Sequence, residues 1–215
     1  MSYEHNYGTY QEIESRGSSI RKTWLYFLYY WIIFGIGTYL GQFVPPALYL
    51  PITIGLFAMI MISLFTKSSR KFGGLISNLF AFLIGILSYT SFMYYLGTLG
   101  TQAFYGNIAL AIGAFAAFGV LGYFMIDNAA GLGKYLFVTL VALVIASFIG
   151  IFLNNPIFHT IISVIGIGLF LLYTVYDFNR MKRGQFSPRE MGFNLFINLL
   201  NIIMHILRLA SILRD

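Results

Sequence analysis

The chain has 215 residues, of which 59% are hydrophobic and 19% aromatic, whereas only 9% are Asp, Glu, Lys or Arg; its mean hydropathy is +0.79. A globular domain carries roughly 25% charged residues, so there is too little charge to coat a water-soluble surface, and a soluble protein is excluded. The net charge is +6, but the basic residues lie in short clusters between apolar blocks that hold the aromatics, which speaks against a nucleic-acid surface, and the absence of Cys excludes disulfides, zinc thiolates and Cys-linked lipids.

In chain order, Met1 to Lys22 is polar, with Glu4, Glu12, Glu14, Arg16, Arg21 and Lys22 and no apolar core. A loosely ordered cytosolic tail is expected over residues 1–23, followed by a single transmembrane domain over residues 24–215. The first apolar block, Trp24 to Val44, runs into Pro45-Pro46 and lacks the short apolar region and small-residue site of a cleaved secretory signal. Six more blocks follow: Ala47 to Phe65, Leu75 to Gly97, Phe104 to Ile126, Tyr135 to Leu153, Ile157 to Tyr176, and Met191 to Leu213. Backbone groups in lipid must be satisfied within their own segment, and a span takes about 20 apolar residues. The expected fold is therefore an all-α integral membrane bundle of seven transmembrane helices. In the fourth block Ala109, Gly113 and Ala117 recur at four-residue spacing, the pattern of helices that pack backbone to backbone in lipid.

The loops orient the bundle. Lys and Arg number three in the tail, three in the second loop (Lys67, Arg70, Lys71), one in the fourth (Lys134) and four in the sixth (Arg180, Lys182, Arg183, Arg189), with none in the first, third and fifth. The positive-inside rule then makes the N-terminus cytosolic. Seven spans place the C-terminus outside; a re-entrant last segment would keep it inside.

Polar residues at membrane depth are costly and therefore informative. In the last block Asn194, Asn198, Asn201, His205 and Arg208 follow one another at spacings of four, three, four and three, which at about 100° per residue gathers them on one helix face. That stripe is expected to face the bundle interior, either in interhelical hydrogen bonds or along water. Asp177 closes the sixth block beside Tyr173, Thr174, Asn179 and Arg180. It is either an interfacial anchor paired with Arg180 or Lys182, or, because the sixth and seventh spans run antiparallel, a neighbour of the start of the stripe.

No catalytic constellation can be assembled, and no enzyme is expected. Gly131-Leu-Gly133-Lys134 lacks the glycine and hydroxyl positions of a phosphate loop, occupied here by Asn128 and Tyr135. His5, His159 and His205 are scattered. Aspartyl proteolysis needs two facing carboxyls, and only Asp177 lies at membrane depth.

Gly41-Gln42-Phe43-Val44-Pro45 closing the first span, Tyr176-Asp177 closing the sixth, and Leu195, Asn201, Leu207 and Arg208 in the seventh resemble the transmembrane BAX-inhibitor-motif family over nearly the whole chain. The resemblance implies six helices around a central seventh, and it implies a pH-sensitive calcium leak channel in a bacterial cytoplasmic membrane. It also implies an aspartate pair, one closing the sixth helix and one early in the seventh, that senses protons and closes the pore with a basic residue from the end of the second helix. By position these fall on Asp177, on Asn198 and on Lys67. Asn198 is a departure from the family pattern. Two carboxyls at close range share a proton; an Asp–Asn pair lacks that repulsion, and its amide donates to the carboxylate.

The expected function is thus a passive, pH-sensitive calcium (cation) leak channel. Asp177 supplies the hard oxygen that calcium prefers, Lys67 competes for it at the cytosolic mouth, and Asn194, Asn198, Asn201, His205 and Arg208 line the path. The local alternative for Lys67 is a positive-inside anchor. The alternative function is a non-channel interaction protein that modulates other membrane proteins, such as a membrane-bound protease. Calcium as the transported ion and the lipid bilayer are the expected partners, with no cofactor and a monomeric state. Because the chain is naturally free of cysteine, orientation has a clean test: a cysteine introduced at Ser69 should be labelled only from the cytosolic side, and labelling from outside would reverse the topology.

Overall fold

Each apolar block folds as a helix, since a helix alone closes its backbone hydrogen bonds within one segment of chain. The computed structural model describes the backbone of residues 2–65, 69–153 and 155–214, and the side chains of residues 17–62, 74–153 and 155–214. Seven helices result: α1 (Ser2–Gly41), α2 (Tyr49–Phe65), α3 (Ser69–Leu99), α4 (Thr101–Val120), α5 (Gly133–Gly150), α6 (Pro156–Lys182) and α7 (Pro188–Arg214). Among the described residues there is no strand. Six of the helices are long and apolar enough to cross a membrane, and the chain is a multi-pass membrane protein. The apolar stretch Pro46–Ile62, a 3-10 turn running into α2, is 17 residues, or about 26 Å at 1.5 Å per residue, slightly short of a ~30 Å hydrocarbon core.

Two boundaries differ from the sequence reading, and the last segment follows its seven-span form. No proline interrupts the chain before Pro45, and α1 runs unbroken from Ser2, so residues 2–23 are helical where a loose tail is expected. The fourth span ends in a π turn, Leu121–Met125, rather than as one regular helix. The last segment is a single helix of 27 residues, about 40 Å long. Arg189 near its start meets Tyr30, and Arg214 at its end donates to the carbonyl of Leu99, the last residue of α3. It therefore runs the full depth of the bundle and does not turn back.

α7 is the central helix. It touches α1, α3, α4 and α6, while α2 packs on α3 and α5 packs on α6. Of its most apolar stretch 61% is buried, against 11% for α5. Aromatic rings fill the α1–α7 seam: Tyr30 lies edge-on to Phe193, and Trp31 and Phe34 lie edge-on to Phe196 at 5.2 and 5.8 Å. Leu195, Phe196, Ile202 and Leu207 of α7 are wholly buried.

The small residues of α4 are not where the close packing occurs. Ala109, Gly113 and Ala117 are exposed on the outer face, and a Cβ on Gly113 would meet nothing within 4 Å. The inward face carries Phe104, Ala111, Phe115 and Gly119 instead, because the rings fill the gap to α7 that small side chains would leave empty. Close helix approach is found between α1 and α3, where a Cβ on Gly85 would strike the Phe34 carbonyl, the Thr38 amide and the Cα of Gly37. All three obstacles are backbone, so the helices themselves would have to part. Gly85→Ala should destabilise the bundle by about 1–3 kcal/mol and Gly113→Ala should leave it unchanged, as measured by unfolding in mixed micelles; equal effects would contradict this packing.

Candidate functional site

The site is set by a turn. α6 ends with Gly184 at φ 70°, whose amide donates to the Met181 carbonyl while Gln185 donates to Arg180. This double closure needs a left-handed residue after the helix, which glycine adopts without steric cost. Chain direction then reverses within a few residues, and α7 returns antiparallel along α6. Asp177 and Asn198 are thereby brought level.

Asp177 is 2% exposed and Asn198 4%. The Asn198 Nδ2 donates to Asp177 Oδ2 at 2.9 Å, and Asn194, one turn earlier on α7, presents a second amide to the same carboxyl. On the other oxygen, Arg180 Nη1 approaches Oδ1 to 3.7 Å. The same guanidinium reaches Glu190 at 4.0 Å through Nη2 and lies over the Tyr176 ring. Arg180 therefore bridges a buried carboxyl and an exposed one. Lys67 lies outside the described residues; among those described, the cation on Asp177 is Arg180, the local partner that i,i+3 spacing makes available.

The rest of the stripe divides. Asn201 turns back on its own helix, donating to the Ile197 carbonyl at 2.9 Å. His205 is 6% exposed, stacks on Phe170 with ring centroids 6.0 Å apart, and occupies the space over Gly166, where any Cβ would collide with its ring. Its Nδ1 has no hydrogen-bond partner among the described residues. Arg208, one turn further on, is half-buried and bears on His205 electrostatically. Of the stripe, Asn198 and His205 are buried against α6, whereas Asn194, Asn201 and Arg208 are partly exposed.

Sequence reasoning gave no role to Asn179. This residue is fully buried and joins α6 to the chain between α4 and α5: its Nδ2 donates to the Ile126 carbonyl at 2.7 Å, and its Oδ1 accepts from the Ala129 amide at 2.9 Å. Lys182 adds a bond to the Ile126 carbonyl and an ion pair with Asp127. Carbonyls freed by the π turn are thus capped by α6 side chains, and Gly122 lets the turn approach the Val175 backbone, where a Cβ would collide. An asparagine beside a basic run carries no sign of a partner 50 residues earlier.

No group of three His, Asp or Glu residues that could hold a metal occurs among the described residues. One carboxyl and two amides are fewer than the six to eight oxygens that calcium takes. Lys22, Lys134, Lys182 and Arg189 all lie at the Asp177 end, through contacts of Arg189 with Tyr30, Lys182 with Asp127, and Gly133 with Tyr176. Arg214 lies at the opposite end beside Leu99.

Residues 16–215 match the family model described as Inhibitor of apoptosis-promoting Bax1. An uncharacterised protein of Helicobacter pylori strain 26695 is 32% identical over 157 residues, covering 71% of this chain and 66% of its own length. One from Campylobacter jejuni is 32% identical over 115 residues, 50% of this chain and 48% of that protein. A Golgi anti-apoptotic protein of Vaccinia virus strain Lister is 29% identical over 84 residues, 38% of this chain and 35% of its own. The chain thus spans just under two thirds of its Helicobacter relative and about half of the Campylobacter one.

The hydrogen bond between Asn198 and Asp177 is directly testable. Asn198→Leu strips a buried carboxyl of its donor and should cost about 1.5–3 kcal/mol, whereas Asp177→Leu combined with Asn198→Leu should cost less than the sum of the two single changes. Unfolding in mixed micelles measures both, and strict additivity would show that the two side chains do not interact.

Proposed function

This chain belongs to the family of the inhibitor of apoptosis-promoting Bax1, and from that premise we propose that it is a passive calcium leak pathway held shut at the end of the bundle where Asp177 lies. The observation that carries the reading is the shared guanidinium. Arg180 lies between Asp177 and Glu190, so an arriving divalent cation can take the Asp177 oxygen while Arg180 retains a carboxylate on the exposed side. The exchange leaves neither carboxylate without a cation, which avoids the cost of a buried unpaired carboxylate, and it takes the local charge from −1 to +1, so the ion is held loosely enough to move on. Asn198 and Asn194 then offer amide oxygens after rotation, and the α6–α7 seam leads on past His205 to Arg208. The Lys and Arg distribution favours a cytosolic position for this end, and Lys67 would stand there as a further cation competing for Asp177.

A second reading, a non-channel interaction protein, is favoured by the outward-facing Ala109, Gly113 and Ala117 of α4, since small residues on a lipid-facing helix suit close approach of another helix. The two readings separate in sealed vesicles holding the purified full chain and a calcium dye. Under the channel reading the wild type leaks calcium, Asp177→Asn abolishes the leak, and Arg180→Gln increases it at rest. Asn198→Asp adds a second carboxyl within hydrogen-bonding distance of the first, and the flux should then become pH-dependent because the pair shares a proton. If folded Asp177→Asn leaks like the wild type, the site is not the path. If no variant leaks and a Gly113→Cys chain crosslinks to a membrane partner, the interaction reading stands instead.

A further inference from the structure

A cleft at the Asp177 end of the bundle lies away from that carboxyl, between α1 and the start of α7, and is lined by Lys22, Leu25, Tyr26, Tyr29 and Arg189. Its walls are held in place. Arg189 donates from Nε to the Tyr30 hydroxyl at 3.3 Å and lies over the Tyr26 ring, and a Cβ on Gly74 would collide with its terminal nitrogens. Tyr29 is fixed by Asn78, whose Nδ2 donates to the phenol oxygen at 3.1 Å. That bond leaves the Tyr29 hydrogen free to donate into the cleft.

The charges are unbalanced. No carboxylate pairs with Lys22 or Arg189 among the described residues, and the groups that bear on Arg189 are the three tyrosines. Two cations and phenolic donors around one concavity suit an anion with several oxygens, and a phosphate group is the compact anion of that kind. The surroundings favour a phosphate that carries a hydrocarbon chain. Leu25, Leu28 and Ile32 are 59%, 56% and 62% exposed and continue from the cleft along the outward face of α1, at the depth where Trp24 and the tyrosines mark a membrane interface. We infer that this cleft is a specific site for the phosphate headgroup of an anionic lipid, with Lys22, Arg189 and Tyr29 on the phosphate and Leu25 and Leu28 along an acyl chain. The site is independent of what Asp177 conducts.

The test uses the full chain reconstituted in vesicles of phosphatidylcholine containing a minor fraction of phosphatidylglycerol, with retained lipid read by native mass spectrometry. Phosphatidylglycerol should stay bound in preference to phosphatidylcholine. Lys22→Gln and Arg189→Gln should each weaken its retention about fivefold, the worth of one basic residue near an anionic surface, and Lys134→Gln, on a different part of the same end, should not. Lys22 is exposed and makes no ion pair among the described residues, so its variant decides the matter even if Arg189→Gln fails to fold. Equal retention of both lipids, or unchanged phosphatidylglycerol in Lys22→Gln, overturns the proposal. In a parallel arm inorganic phosphate is titrated onto protein in phosphatidylcholine alone. It should bind on the order of tenfold more weakly for want of the acyl contact, and phosphate binding without retained phosphatidylglycerol would assign the cleft to a soluble anion and overturn the lipid.

Discussion

A carboxyl group inside a lipid-embedded bundle must find its donors within the protein, and the arrangement of α6 and α7 follows from how this one is met. Asp177 is almost wholly buried, and an unpaired buried charge costs several kcal/mol. Asn198 from α7 and Arg180 from its own helix supply what water would. The bond to Asn198 also ties α7 to α6 at this level. The same helix carries the aromatic seam with α1 and the seat of His205 over Gly166.

The last turns of α6 serve two neighbours at once. Asp177 points to α7, and Asn179, two residues later and about 200° around the helix, points to the chain between α4 and α5. A shift of this turn would disturb both contacts together, so a ligand that moved Asp177 would be felt at the α4–α5 connection. The π turn that Asn179 caps belongs to a class of irregularity found most often at functional sites.

Much of this was legible in the residues. The seven apolar blocks announced the seven helices, since in lipid no other element closes its own hydrogen bonds, and the antiparallel succession of the last two put Asp177 level with Asn198. The inner face of α4 was not legible. Bilayer and bundle interior are both apolar, so Ala109, Gly113 and Ala117 on one side and Phe104, Ala111 and Phe115 on the other carry no polarity contrast to say which faces lipid. Asn179 was invisible for another reason: its partners are backbone groups of Ile126 and Ala129, and backbone atoms leave no signature in a sequence. Arg180 stood among the local partners for Asp177, three residues away, whereas the family likeness pointed to Lys67.

The position of α7 also bears on the order of assembly. The helix that touches α1, α3, α4 and α6 is the last of the seven to be made, so those four enter the membrane with their common partner still missing. Until it arrives, Asp177 has no Asn198, the α1 aromatics have no Phe193 or Phe196, and Gly166 faces an empty groove. The early helices can already pair among themselves, α1 with α3 and α5 with α6, and the bundle closes when α7 packs against them.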